Sequence, residues 1–590
     1  MLLLQTWAHW GDLQIDCGRE VYVPYELLKG RMLYRDLAYP YGPLVPYLQA
    51  LTIAVFGLHF TTFYIFGLVC TLTIAYLAYS IARSVLPPAA SLAVSIVCLT
   101  QGFSQFIFNY IFPYSYAAVA GLLLGLATLY FLLAFLDTGS RRKLAIASLV
   151  AGLTLISKQE FGAVAFLAVG FAVLLDFVAS PAAARLLRHA GVVMLGLLVP
   201  ALTYGWLFWR LTPDFILREN FALSATSPFM RTLGPRWIAQ HGFRFVPREM
   251  ISTLLGVVFS LGTWFLVARW SSTTNRAGRI VLLCVAALTA ALAELVFFPA
   301  TNHVLWALIA LNLWIMATFP LGMCWLAPAI LIGAMTGLIP GSDRKTNRAI
   351  ALIAVFALAL ALRVLFAVQR SDYSVYYDLP IYIVFMIALT AVLRAGAGRL
   401  RLAARDRLVN NILLTISIWL FVVPIPNPPF PTIPLETPLG LIFTKPAEAA
   451  AVPKLVSFIE SQTAAGHRVL ILPEFPMMYA MTGTEAPSRW FEVAPGLLGD
   501  DDEKKLIADA EAARVDYVIV TNRATPEYGV PYFGLDWAQG LYAWIVGNFE
   551  QVGEFGSFTR KPDAPFAALV YKRRGVASSA TPGPAAGTTK

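Results

Sequence analysis

The sequence predicts an all-α, polytopic membrane domain of about twelve spans followed by a small soluble α/β domain, and three observations carry that prediction. First, 58% of the 590 residues are hydrophobic and 13% are charged, with a mean hydropathy of +0.68. That composition lies outside the range of an ordinary soluble chain. Second, apolar segments near the ~20 residues needed to cross about 30 Å of hydrocarbon recur in series from about residue 60 to about residue 424. Third, beyond residue 424 the chain turns proline-rich and then alternates short strand-like and helix-like runs.

The apolar segments fall at roughly 60–82, 88–105, 114–136, 144–157, 161–177, 190–211, 251–269, 280–298, 303–338, 349–368, 380–397 and 409–424. Residues 303–338 are too long for one span and are interrupted by Pro320 and Pro328, so they read as one span plus a broken or re-entrant piece. Basic residues alternate between the segments: Arg83; Arg141, Arg142 and Lys143; Arg185 and Arg188; Arg269, Arg276 and Arg279; Arg344, Lys345 and Arg348; Arg399, Arg401, Arg405 and Arg407. The positive-inside rule makes these loops cytoplasmic. The stretch 14–50 and everything after residue 424 then lie outside. Much of the net charge of +10 sits in these short loops, so it reads as topology and not as a nucleic-acid surface. The outer 212–250 loop is basic at Arg231, Arg236, Arg244 and Arg248, either a guide for an anionic lipid or acceptor or a solvated face.

The domain boundaries expected are an external loop with interfacial helices (1–59), the multi-span domain (60–424), a Pro-rich linker (425–445), an α/β domain (446–574) and a disordered tail (575–590). In the α/β domain RVLILP (468–473), VDYVIV (515–520) and ALVYKR (568–573) read as strands, and DDDEKKLIADAEAARV (500–515) as an amphipathic helix. Glu474, His467 and Asp516 look isolated there. ILPEFPMMYAMTGTEAPSRWF carries aromatics that suit either sugar stacking or a core, and the domain reads as an acceptor-binding module or a structural lid. Cys17, Cys70, Cys98, Cys284 and Cys324 are scattered without metal-ligand spacing and read as packing residues.

The most polar segment of the membrane part is QIDCGREVYVPYELLKGRMLYRDLAYPYGPLVPYLQA, residues 14–50. Asp16 and Glu20 are four apart and point to one side of a helical turn. An amphipathic helix, a break at Gly30, a tyrosine-rich turn and an apolar helix after Pro43 follow. Tyr22, Tyr25, Tyr34, Tyr39, Tyr41 and Tyr47 suit a headgroup interface. The order of an acid, then ELLKGRMLYRD, then YPYGPLVPYLQALTIAVFG resembles the first external loop of C-type (GT-C) polyprenyl-phosphate-sugar-dependent glycosyltransferases. These include the protein O-mannosyltransferases, the aminoarabinose transferases and bacterial relatives of the lipopolysaccharide-core type. The family's leading Asp falls on Asp16, while Cys17 stands where its second acid belongs, leaving Glu20 as the candidate second carboxylate. A second match is GLTLISKQEFG (152–162), similar to the family's helix that ends in Lys at the outer face. From Lys143 to Lys158 is about 22 Å of helix, which agrees. Lys158 is then either a donor-phosphate ligand or a snorkelling residue.

The resemblance implies an integral-membrane glycosyltransferase of the bacterial cytoplasmic membrane. Its donor would be a polyprenyl-phosphate-linked sugar and its acceptor a hydroxyl on a glycan, lipid or protein; no nucleic acid is involved. Asp16 would be the base, with Lys158 and Arg363 as phosphate ligands. Arg363 also reads as an ion partner of Glu294, both about 15 residues above cytoplasmic arginines. Glu160, Tyr34 and Asp36 are further candidate substrate or ion-pair residues. Asp12 and Glu20 are alternatives for binding a divalent cation or the acceptor; no dedicated metal site and no nucleotide-binding loop is apparent. Family members place a transmembrane helix before this loop, and only MLLLQTWAHWG precedes it here, so a preceding span is expected upstream. A lipid flippase and a non-catalytic scaffold are the alternatives from other classes; the first predicts internal repeats and midplane charges, which are not seen.

Overall fold

A computed structural model gives the structure and describes residues 2–103, 107–221, 327–339, 341–365, 373–396, 402–422 and 433–575, with a few positions between 275 and 284. The chain opens with α1 (Leu2–Thr6), α2 (Cys17–Leu28) and α3 (Leu44–Phe56). The Asp16 carbonyl accepts the first helical N–H groups of α2, from Arg19 at 3.0 Å and Glu20 at 3.3 Å. Gly30 ends this helical stretch with φ +89°, a conformation open to glycine. Pro43 directly precedes α3, a position its fixed φ suits.

The membrane part continues with α4 (Phe60–Arg83), α5 (Pro88–Gly102), α6 (Tyr116–Thr138), α7 (Arg141–Ser157), α8 (Gln159–Ala179), α9 (Ala183–Leu211) and the short α10 (Pro213–Asn220). After α11 (Ala327–Thr336) come α12 (Arg344–Leu365), α13 (Leu379–Gly396) and α14 (Leu402–Val422). Among the described residues five helices are long and apolar enough to cross a membrane: α4, α6, α8, α9 and α12. The expected segments 251–269, 280–298 and most of 303–338 lie largely outside the described residues.

Helices α8 and α12 pack antiparallel with charges at both ends. At one end Asp176 faces Arg348 (3.9 Å), Arg185 (3.8 Å) and His189 (3.7 Å), and Asp137 pairs with Lys345. At the other end Glu160 faces Arg363, 3.9 Å away. Arg185, Lys345 and Arg348 therefore collect at one end of the bundle, and the 14–50 segment lies at the other, beside Lys158.

Within the expected linker 425–445, residues 433–444 form a hairpin, β1 (Ile433–Thr437) with β2 (Gly440–Thr444). Pro434 sits in a two-stranded ribbon, where its missing N–H is tolerated. After α15 (Pro446–Ala464) comes a four-stranded sheet of order β3-β4-β6-β5, formed by β3 (Val469–Leu472), β4 (Tyr517–Thr521), β5 (Phe549–Phe555) and β6 (Ala568–Arg573). β3 and β4 are parallel; the other pairs are antiparallel. α16 (Pro476–Thr482) and α17 (Asp500–Ala512) lie between β3 and β4, and α18 (Gln539–Asn548) precedes β5. Alternate strand residues serve two cores. Leu470, Val518 and Leu569 meet Leu506, Ala510, Leu541 and Ile545 of α17 and α18. Val469, Ile519 and Val570 face the side where α15 contributes Leu455 and Ile459.

This C-terminal domain sits on the 14–50 segment. Tyr22 accepts the Ala486 N–H (2.8 Å), and its ring packs on Tyr479 and Phe491, with centroids 5.4 and 5.1 Å away. Ala38 N–H donates to the Arg489 carbonyl (3.0 Å), and Phe443 N–H to the Ala8 carbonyl (2.9 Å). Tyr22, Tyr34 and Tyr39 are buried in protein, not placed at a headgroup interface; the C-terminal domain packs on Tyr22 and bonds the Tyr34 carbonyl. Phe475, Tyr479 and Phe491 of the aromatic tail segment are core by the same burial.

Candidate active site

Asp16 immediately precedes α2, and its carboxylate is half-buried. Its Oδ1 lies 2.8 Å from Arg19 Nη2; among the described residues no hydrogen bond reaches Oδ2. Arg19, 4% exposed, is also held by Glu492 Oε1 (2.8 Å from Nη1), the Tyr114 carbonyl (2.9 Å from Nη2) and Glu20 Oε1 (3.4 Å from Nε). Glu20 is sealed: its Oε2 accepts the Tyr116 N–H at 2.9 Å. Burial pushes its pKa up to about 7 against the pull of Arg19 and that N–H. Asp16 and Glu20 therefore share one arginine, but only Asp16 is reachable.

Lys158 is the joint between α7 and α8. Its extended backbone (φ −149°, ψ 119°) separates the helices while its N–H still donates to Thr154 and its carbonyl accepts from Gly162. The ammonium does not snorkel: Lys158 is 4% exposed, donates to the Tyr114 hydroxyl (3.0 Å) and lies 4.5 Å from the Tyr41 ring centroid. Glu160 Oε1 lies 3.8 Å from Lys158 Nζ and 3.9 Å from Arg363 Nε, and accepts the Tyr377 hydroxyl at 2.9 Å. Arg363 thus faces Glu160; its alternative partner Glu294 lies outside the described residues.

Two tyrosines join the acid and cation clusters. Tyr114 gives its carbonyl to Arg19 and its hydroxyl to Lys158. The Tyr41 ring has Lys158 at 4.5 Å and Arg19 at 5.3 Å, attractive cation–π distances. Gly42 lets the YPYGP turn come this close, because a Cβ there would overlap the Ile156 carbonyl oxygen. Its N–H donates to the Ser157 carbonyl at 3.1 Å. Beside this turn an apolar groove of about 220 Å³ is lined by Leu33, Pro43, Leu44, Ile156, Trp206 and Leu207, among others.

The remaining candidates take local roles. Asp12 Oδ1 caps a turn by accepting the N–H groups of Gln14 (2.7 Å) and Ile15 (3.2 Å). Asp36 pairs with Arg35 (2.8 Å) and accepts the Met32 N–H (2.7 Å). Tyr34 is buried with φ +68° and donates to the Tyr41 carbonyl at 2.7 Å, so it supports the turn that carries Tyr41. Among the described residues no group of three or more His, Cys, Asp or Glu could hold a metal ion. Arg231, Arg236, Arg244 and Arg248 lie outside the described residues.

Glu474 is not isolated, because the parallel β3–β4 pair brings the ends of both strands together. Its Oε2 accepts from Arg523 Nε at 2.8 Å, and Arg523 also pairs with Glu527. Burial pushes Glu474 up to about 8, opposed by Arg523 and reinforced by the charges of Asp16 and Glu492. His467 pairs with Asp516 at 3.4 Å. Sequence reasoning missed Arg19, Tyr114, Tyr377, Arg523 and Glu492. Arg19 had a signal, lying three residues after Asp16 and one before Glu20; Glu492, 473 residues from Arg19, had none.

These features define a multi-pass helical bundle with an accessible acid and a buried cation at one end. Residues 40–209 match the family described as dolichyl-phosphate-mannose-protein mannosyltransferase, which supports the resemblance read from the opening loop. No curated protein matches the chain in sequence. Among solved structures, the fold is similar to the archaeal oligosaccharyltransferase AglB from Archaeoglobus fulgidus, in complex with an inhibitory peptide and a dolichol-phosphate. That match has 14% identity and a TM-score of 0.47 and covers 87% of this chain and 66% of that one. The chain thus spans just under two thirds of the length of that enzyme. ArnT from Cupriavidus metallidurans bound to undecaprenyl phosphate is similar at 13% identity and a TM-score of 0.41, with 99% of this chain and 97% of that one covered.

Proposed function

We propose that the protein transfers a sugar from a polyprenyl-phosphate carrier to an acceptor hydroxyl at the outer face of the bacterial cytoplasmic membrane. The observation that supports this best is the tie between Arg19, which holds Asp16, and Lys158 through Tyr41 and Tyr114: an accessible carboxylate and a buried ammonium share one site beside an apolar groove. The groove suits an isoprenoid tail, and the Lys158 ammonium, with Arg363 behind Glu160, suits the phosphate. In the reaction the acceptor oxygen attacks the anomeric carbon and its proton passes to Asp16. The bond from the anomeric carbon to the phosphate oxygen breaks, and the electron pair leaves with the phosphate, where the fixed cations meet the growing charge. One displacement inverts the anomeric configuration. Glu20, sealed and near neutrality, supports Arg19 and does not touch substrate.

The test uses membranes from a deletion strain, which hold both the natural donor and the natural acceptor, and adds back purified full-length protein. Restoration of the missing glycan is read by mass spectrometry. Asp16→Asn is expected to reduce the initial rate by about 10²- to 10⁴-fold, the usual contribution of a general base. A wild-type rate for this variant would end the assignment.

A further inference from the structure

Glu492 belongs to the C-terminal domain yet reaches the opposite end of the sequence. It lies in the 483–499 connection between α16 and α17, next to Val493, whose N–H donates to the Pro473 carbonyl at 2.7 Å. Its side chain is 6% exposed, and its Oε1 takes Arg19 Nη1 at 2.8 Å. The neighbouring nitrogen of the same guanidinium, Nη2, holds Asp16 Oδ1 at 2.8 Å and the Tyr114 carbonyl at 2.9 Å. A guanidinium is a rigid planar fork, so an anchor on one nitrogen fixes the direction of the others. The close fit that brings the domain here is visible at Gly18, where a Cβ would overlap the backbone nitrogen of Met477 in α16.

We propose that Glu492 is a positioning residue for the transfer: by anchoring Arg19 it holds the Asp16 carboxylate by one oxygen and leaves the other for the acceptor, so the C-terminal domain completes the catalytic centre. The inference rests on the reading of Asp16 as base. Without Glu492, Arg19 keeps a neutral carbonyl and the longer 3.4 Å contact with Glu20. It is then free to turn onto both oxygens of Asp16 or to release them. Either change misplaces the base, and displacements near 1 Å can cost roughly 10²-fold in rate. Among the described residues Glu492 contacts neither Lys158 nor the groove lining, so carrier binding is expected to be unchanged.

The test measures initial rates of transfer against increasing amounts of deletion-strain membranes, with binding of undecaprenyl phosphate to the purified full chain read by tryptophan fluorescence. Glu492→Ala is expected to lower the maximal rate about tenfold or more, with half-saturation and undecaprenyl phosphate affinity unchanged. Glu492→Gln, which keeps an oxygen for Nη1, is expected to recover part of the rate. Arg489→Ala removes other contacts of the same domain, to the Tyr34 carbonyl and to Glu219, both at 2.7 Å, and controls for mere loosening. The proposal is overturned if Glu492→Ala keeps a rate within twofold of wild type. It is equally overturned if that variant loses carrier affinity in step with rate, or if both alanine variants lose rate in proportion to their melting temperatures. Asp16→Asn in the same assay separates the two readings. An inactive Asp16→Asn beside a fully active Glu492→Ala removes only the positioning role; an active Asp16→Asn removes the base itself.

Discussion

Asp16 and Glu20 share Arg19 and differ in what else surrounds them. Asp16 keeps an open side, which is what the proposed base requires; the Tyr116 N–H and burial hold Glu20 inside the protein. Lys158 differs from an ordinary interfacial lysine because two tyrosines hold its ammonium inside the protein. Lys158→Met is expected to reduce transfer by about 10²- to 10³-fold, as for loss of one fixed group that stabilises developing charge. Its undecaprenyl phosphate affinity is expected to fall as well, read by the same fluorescence titration. Glu474 gives a pH prediction. Its folded pKa of about 8 lies above the ordinary carboxylate value of 4.5, so the folded state binds a proton that the unfolded chain has already released. Stability present below about pH 4.5 is therefore lost as the pH rises toward about 8. Glu474→Gln should flatten the fall of melting temperature across that window, and an unchanged slope would contradict the assignment. The resemblance of the opening loop and of GLTLISKQEFG to glycosyltransferase motifs, together with residue spacing, made Asp16 and Lys158 candidates. Neither exposed Tyr114, since nothing in its local sequence shows that its carbonyl and hydroxyl serve different cations.

At the scale of elements, the joint between α7 and α8 and the YPYGP turn make one unit. Gly42→Ala should push the turn away from Ile156 and carry Tyr41 off Lys158 and Arg19. The expected cost is about 1–3 kcal/mol of stability, as for other overpacked contacts, with transfer falling more steeply than the melting temperature. Equal activity in this variant would show that Tyr41 need not lie where it does. The strands RVLILP and VDYVIV were legible because short apolar runs bounded by polar residues fit buried parallel strands. The β1–β2 hairpin was not, because proline composition hid the alternation of its residues. Likewise the tyrosines of the 14–50 segment carried the composition of a lipid interface, but Tyr22 packs on Tyr479 and Phe491.

For the whole molecule, orientation is the testable consequence of the alternating basic loops. Arg142→Cys and Ser557→Cys both place a thiol at an exposed position, one at the basic end of the bundle and one on the C-terminal domain. A membrane-impermeant maleimide should label Ser557→Cys in intact spheroplasts and Arg142→Cys only after permeabilisation; the reverse pattern would invert the topology. By itself the sequence determined the membrane class, the two-part organisation and the placing of Asp16 and Lys158 as candidates. Those follow from composition, charge periodicity and local motifs, which act over a few turns of chain. Only the tertiary structure decided that Arg19, which holds Asp16, is linked to Lys158 through Tyr41 and Tyr114, that Glu20 is sealed, and that the C-terminal domain reaches Arg19 through Glu492. These depend on burial and on contacts between distant segments, and a linear pattern carries no term for either.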